Sequence, residues 1–307
     1  MILQRGSASS VIPTLGSLAL GSQRLLPALQ QLYGGWASVK SCNAGLLGVL
    51  NLLNQPLPEL SSKIRRFNFT SLIELRDLSF RYNQHSKLVL SNINFEIKFG
   101  QRIGFIGSTG CGKSTLADVI MGLLPPASGN IYVDGIDINH DADTCMFNSW
   151  RASIAHVPQS IYLADTTIAE NIAFGVPKHL IDWSRVHSAS QQAQISPFVE
   201  SMEAGYDTLV GEGGIRLSGG QKQRIGIARA LYKQATVLVF DEATSALDTD
   251  TENAVMEAIN NLSTDYTIIL IAHRLSTVAG CDKVVQLSQG TIKTIIDPSK
   301  SPYLFKT

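Results

Sequence analysis

The residue types best suited to chemistry in this chain occupy positions 107–115, Gly-Ser-Thr-Gly-Cys-Gly-Lys-Ser-Thr. They reproduce Gly-x4-Gly-Lys-[Ser/Thr], the spacing of a loop that wraps a polyphosphate. Gly107, Gly110 and Gly112 let backbone N–H groups turn inward with no Cβ in the way, and Ser108, Thr109 and Cys111 complete the turn. Lys113 is expected to reach the β- and γ-phosphates of a nucleotide, and the Ser114 hydroxyl to take a place on Mg2+. Thr115 leads into a helical run whose orphan N–H donors and positive end face the anion. Cys111 serves as a small residue there, and bulky alkylation of its thiol is expected to block nucleotide binding.

Two other groupings add to that chemistry. The apolar run 237–240 ends in Asp241-Glu242, and a parallel sheet presents its functional groups at the carboxyl ends of its strands. Asp241 is placed to hold Mg2+ through water, and Glu242 to orient or deprotonate an attacking water. Two acids after a strand also serve as a helix cap; their company with the 107–115 loop is what favours chemistry. In Leu217-Ser-Gly-Gly-Gln221, Ser218 and Gln221 have the spacing of a capping box. Gly219 and Gly220 leave that helix start open to an anion. One nucleotide needs one γ-phosphate site, so this second one is expected to serve a nucleotide held by another molecule.

These groups need elements to position them. The alternation in residues 73–82 and 88–98 predicts half-buried strands ahead of the apolar run 102–106. Helical stretches are expected at about 148–153, 181–203, 220–233 and 250–262, with buried strands at 236–240 and 266–271. Strands alternating with helices imply an α/β domain with a mainly parallel core. Ahead of it, Leu25, Leu26, Leu29, Leu32 and then Leu46, Leu47, Leu50, Leu53 recur at helical spacing. Residues 1–58 are therefore expected to be helical, in two segments, the second ended by Pro56 and Pro58. Residues 59–72 form a polar linker in which Lys63, Arg65 and Arg66 make either a solvated face or a juxtamembrane cluster.

Composition narrows the class. With 44% apolar and 16% charged residues the chain is globular. Lys+Arg and Asp+Glu both number 25, so no net field draws it to nucleic acid. Cys42, Cys111, Cys145 and Cys281 form no Cys-x-x-Cys pair, which argues for a reducing setting over a zinc or disulfide framework. No stretch of about 20 residues is continuously apolar.

From about residue 70 to 295 the sequence resembles the ATP-binding cassette (ABC) transporters, in particular exporters that carry membrane and nucleotide domains on one chain. The matching motifs fall in the family's order: 107–115 (Walker A), Gln159 in Val-Pro-Gln (Q-loop), 217–221 (signature), 237–242 (Walker B), Ser245-Ala-Leu-Asp248 (D-loop) and His273 in Ala-His-Arg (switch histidine). The resemblance implies a P-loop fold with a parallel core sheet, an antiparallel β subdomain and an α-helical subdomain at about 160–233, within a cassette spanning 73–300. It implies Mg-dependent ATP hydrolysis in a head-to-tail pair of cassettes, identical or from a related half-transporter. Tyr82 resembles the aromatic that stacks on adenine, Gln159 the sensor of Mg2+ and of the membrane domain, His273 the γ-phosphate contact that supports Glu242, and Asp248 the residue that communicates across the pair. Residues 163–175 and 211–214 resemble the segments that meet the coupling loops of a membrane domain. In the latter, Gly213 stands in the place of a common arginine, which either weakens those contacts or is tolerated.

Residues 1–58 resemble the tail of a last membrane helix, with 24–33 like the stretch where such a helix bends into the cytoplasm. The expectation is a fragment or a truncated gene product at the cytoplasmic face of a membrane. Two alternatives stay open: a soluble ABC ATPase, and a non-transporting cassette that regulates longer relatives.

Overall fold

The computed structural model describes residues 8–55, 66–139, 144–242 and 249–300. The chain divides into two units, Met1–Leu60 and Ser61–Thr307. In the first, α1 (Ala8–Leu53) is one unbroken helix of 46 residues, about 70 Å long at the usual rise. The two expected segments are therefore a single element, which continues through residues 24–33. Pro13 and Pro27 lie inside it; each forfeits one N–H donor, and the leucine- and alanine-rich turns around them sustain the helix. Its leucines are exposed, and no helix among the described residues is long and apolar enough to cross a membrane. Pro56, Pro58, Lys63 and Arg65 lie outside the described residues.

The second unit begins with β1 (Leu72–Phe80), β2 (Leu90–Lys98), β3 (Arg102–Ile106), α2 (Lys113–Ile120), β4 (Ser128–Val133) and β5 (Ile136–Asp137). After α3 (Thr144–Ala152) and β6 (Ile154–Val157), the helices α4 (Ile168–Ile172), α5 (Trp183–Gln192), α6 (Ser196–Glu200) and α7 (Gly219–Tyr232) follow in succession. The chain then returns through β7 (Val237–Asp241), α8 (Thr249–Asn260), β8 (Thr267–Ile271), β9 (Lys283–Ser288) and β10 (Thr291–Ile296). The single helix expected at 181–203 is two, because Gln194 turns into the left-handed region at φ 53° and Pro197 opens a new helix.

Two sheets result. One is antiparallel, in the order β2-β1-β4-β5; the other runs β10-β9-β3-β8-β7-β6, with β9, β3, β8, β7 and β6 mutually parallel and β10 antiparallel at the edge. The parallel strands read as continuous apolar runs because both faces are covered. Leu238, Phe240, Ile268 and Leu270 face a core shared with α5, α7 and α8. Val237, Val239, Ile269 and Ile271 face a second core, shared with α2 and the antiparallel sheet. Helix α2 is thus buried between the two sheets, with Leu116, Val119 and Ile120 fully enclosed.

Asp134 secures the start of β1 from a distance. It stands with Gly135 in the two-residue turn between β4 and β5, both with positive φ, as a type I′ hairpin requires. Its carboxylate accepts N–H bonds from Thr70, Ser71 and Leu72 at 2.8, 2.9 and 2.8 Å and one from the Thr70 hydroxyl at 3.1 Å. Burial alone would raise this carboxyl, but the donors outweigh it and hold its pKa below the ordinary value. A depressed acid stabilises the fold above the pKa of the unfolded chain and loses that contribution as pH falls through the folded value. Asp134→Ala is expected to cost about 1–3 kcal/mol at neutral pH, and chemical denaturation should find the difference from wild type shrinking below about pH 4.

Candidate functional site

The phosphate-loop residues leave the carboxyl end of β3 and close into α2, whose first helical bond joins Leu116 N to Gly112 O at 2.8 Å. Gly110 and Gly112 hold φ of 78° and 103°. A Cβ on Gly107 would lie 2.4 Å from the Leu287 carbonyl of β9, and one on Gly112 would lie 2.9 Å from the Leu90 side chain. The glycines are therefore demanded by the protein's own walls as well as by an anion. Ser108, Thr109, Gly110 and Ser114 remain exposed on the open side, while Cys111 is buried and its carbonyl accepts from Gly290 N at 3.1 Å. Lys113 is 5% exposed, and its Nζ donates across the loop to the carbonyls of Gly107 at 3.0 Å and Ser108 at 3.2 Å. An ammonium held there by neutral carbonyls alone is a receptor for negative charge.

Asp241 closes β7 with Oδ1 3.5 Å from the Ser114 hydroxyl. Burial pushes its carboxyl above the usual range; nearby Glu242 and Asp118 add to this, and His156 and the Ser114 contact oppose it. A hard cation would relieve that penalty, and an alcohol beside a carboxylate is the all-oxygen donor set that suits Mg2+. Glu242 follows with φ 49°, a left-handed conformation that costs a non-glycine residue about 1–2 kcal/mol. Its N–H is tied to Ile271 O at 3.0 Å. His273, beyond the end of β8, brings Nε2 within 2.6 Å of Glu242 Oε1. Tyr82, two residues past β1, lies beside α2 with its hydroxyl 3.0 Å from Thr115 Oγ1, and the residue is 59% exposed. The groups predicted at 82, 107–115, 241, 242 and 273 therefore gather in one region, whereas Asp248 lies outside the described residues.

The start of α7 stands apart from them in the sequence. Ser218 and Gln221 form the expected capping box: Ser218 N donates to Gln221 Oε1 at 2.8 Å and Gln221 N to Ser218 Oγ at 3.3 Å. The two glycines between them differ. Gly219 is exposed, but Gly220 is buried, and a Cβ on it would sit 2.0 Å from Thr251 Cγ2. Helix α7 also grips the segment after β6. Gln223 Nε2 donates to the main-chain oxygen of Gln159 at 2.8 Å, Arg229 Nη1 donates to Tyr162 O at 3.0 Å, and a Cβ on Gly226 would meet Ile161 at 2.6 Å. The stripe 223, 226, 229 was absent from the expected site; its i, i+3, i+6 spacing was the available signal. Gly213 has φ 58° and open space around it, and its carbonyl accepts from Lys222 Nζ at 3.0 Å.

A glycine cradle at the end of a parallel strand, with a lysine across it and acids two strands away, defines a P-loop nucleotide-binding protein. Comparison with known proteins carries this further: the family profile described as "ABC transporter" matches residues 90–245. The chain belongs to the ABC transporter family and contains its ATP-binding cassette. It is similar to the heterocyst differentiation ATP-binding protein HepA of Nostoc, with 38% identity over 88% of this chain and 44% of that protein. It is also similar to the ATP-dependent lipid A-core flippase of Francisella tularensis, with 34% identity over 94% of this chain and 46% of that one. The solved structure of a bacterial Atm1-family ABC exporter with ATP bound matches with TM-score 0.72 and 32% identity, over 87% of this chain and 46% of that chain. The chain thus spans about half the length of the curated relatives it matches.

The glycine contacts separate two kinds of substitution. Gly213→Arg, in open space but left-handed, should lower stability by about 1–2 kcal/mol and keep the rise in melting temperature that ATP produces. Gly107→Ala must push the loop away from Leu287 and should lose that rise, as thermal unfolding with and without ATP would measure.

Proposed function

We propose that this chain is the ATP-hydrolysing cassette of an exporter-type ABC transporter, working at the cytoplasmic face of a membrane as one of two cassettes. The observation that carries the reading is the convergence of Lys113, Ser114, Asp241, Glu242 and His273 at the ends of β3, β7 and β8. Lys113 and the loop N–H groups bind the phosphates, and Tyr82 offers its exposed ring to the adenine. Ser114 and Asp241, with Gln159 from the neighbouring loop, would hold Mg2+, which supplies charge neutralisation on the phosphates. Glu242 orients a water and takes its proton, and His273 holds that carboxylate in place while facing the γ-phosphate end.

Ser218 and Gly219 lie exposed at the start of α7, and we assign them to the nucleotide of a second cassette, a copy of this chain or a related half-transporter. Closure of the pair on ATP and reopening after hydrolysis would drive the membrane domain. Support for coupling to that domain comes from a cavity of about 480 Å³ lined by Phe174, Leu180, Arg185, Arg229 and Lys233, among others. Phe174 is 51% exposed there with the Arg229 guanidinium 4.6 Å from its ring centre. Among lipid, glycan, peptide and drug cargoes, the similarity to a lipid A-core flippase favours a lipid.

Glu242→Gln is expected to slow phosphate release by about a hundredfold or more while ATP still drives dimerisation, read by light scattering; equal phosphate release from both proteins would overturn the assignment. Tyr82→Phe should keep the affinity for ATP. Tyr82→Ala should weaken it by about 1–3 kcal/mol if the ring stacks on the base, as titration with a fluorescent ATP analogue would measure.

A further inference from the structure

Glu252, in the first turn of α8, is a buried carboxylate with no part in the chemistry above; its side chain is 9% exposed. Each of its two oxygens reaches the segment that follows His273. Oε2 accepts from Arg274 Nη1, and Oε1 accepts from Thr277 Oγ1 at 3.2 Å. Arg274 is the chain neighbour of His273, whose Nε2 lies 2.6 Å from Glu242 Oε1. On the other side of His273, Ala272 N is bonded to Phe105 O at 3.1 Å, at the end of β3. The switch histidine therefore sits between two anchors, one in the sheet and one on α8.

Without the second anchor, residues 273–277 would rely on the sheet-side bond at Ala272, on the His273 contact to Glu242 itself and on the short turn at Ser276–Val278 with its buried Val278. The imidazole is itself exposed, 37% by side chain, so packing around the ring does little to fix it; the backbone must. Thr251, the residue before Glu252, is the one that presses on Gly220 at the start of α7. One turn of α8 thus touches both the switch segment and the signature helix.

We propose that Glu252 is a positioning residue for ATP hydrolysis: by holding Arg274 and Thr277, it keeps His273 within reach of Glu242. The inference rests on the hydrolysis reading above. An ordinary buried ion pair would also destabilise the fold when broken from one side, so the test must separate position from stability.

In the full chain, kcat and KM for ATP, nucleotide affinity and melting temperature are measured for Glu252→Gln, Arg274→Gln, His273→Ala and the double variant Glu252→Gln/His273→Ala. Glu252→Gln keeps the shape of the side chain, and Arg274→Gln breaks the same contact from its exposed partner. Each is expected to lower kcat by about tenfold to a hundredfold at near-constant KM and nucleotide affinity. In the His273→Ala background, Glu252→Gln should remove less than about twofold more, because its effect passes through the histidine. Wild-type kcat in Glu252→Gln and Arg274→Gln, or an equal fold-loss with and without His273, would overturn the proposal while leaving the hydrolysis reading intact. Wild-type turnover in His273→Ala together with Glu242→Gln would overturn both.

Discussion

A parallel strand buried on both faces has nowhere along its length for a group that must meet water or charge. The strands β3, β7 and β8 obey this strictly, since Ile103, Phe105, Val237–Phe240 and Ile268–Ile271 are all enclosed. Polar function is thereby driven to the carboxyl ends, where β3 releases the phosphate loop, β6 the segment with Gln159, β7 the two acids and β8 the histidine. The spacing of neighbouring strands, about 4.8 Å, then sets the distances between those groups. Main-chain bonds extend the register past the last paired residues, from Glu242 N to Ile271 O and from Ala272 N to Phe105 O. Geometry at the site is inherited from the sheet, with little left for side-chain packing to decide.

The same region stores unfavourable terms. Lys113 is buried among carbonyls, Asp241 is pushed toward its protonated form by burial, and Glu242 is held left-handed. The two electrostatic costs would decrease once phosphate charge and a cation are present, whereas the backbone strain at Glu242 is borne by the surrounding fold. The fold meets the cost with the two cores on either face of the sheet. A site prepared in this way binds charge without first reorganising itself, which is what electrostatic stabilisation of a reaction requires.

How far the sequence could be read depended on the range of the contact. The phosphate loop, the acids after 237–240 and the Ser218–Gln221 cap are arrangements over fewer than about ten residues, and their spacing alone carried the geometry. The antiparallel sheet and parallel core followed from family resemblance and from alternating apolar runs. The strands β4, β5 and β6 at 128–157 and β9 and β10 at 283–296 went unmarked, because their 2–6 residues mix polar and apolar types without the continuous apolar run that β7 and β8 carry. Two boundaries differ from expectation: the leucine stripes at 25–32 and 46–53 belong to one helix, and Gln194, a residue with no turn preference, takes the left-handed turn after α5. Long-range pairings such as Gly220 with Thr251 and Glu252 with Arg274 leave no periodic trace, because each joins elements that only the fold brings together.

The contrast between Gly219 and Gly220 bears on the proposal that a second cassette completes the site. A helix start leaves its first N–H groups without intrahelical partners, and here the capping box meets those of Ser218 and Gln221, while the helical bond from Lys222 N to Ser218 O takes the next. The N–H groups of Gly219 and Gly220 are the ones that neither device reaches. Gly220 cannot carry a side chain because its Cα faces Thr251 of the same chain, so its glycine identity is explained without any ligand. Gly219 stands exposed beside Ser218. With no side chain at an exposed helix start, its backbone N–H is open to an approaching anion, which fits the proposal that the nucleotide of a second cassette meets the helix there.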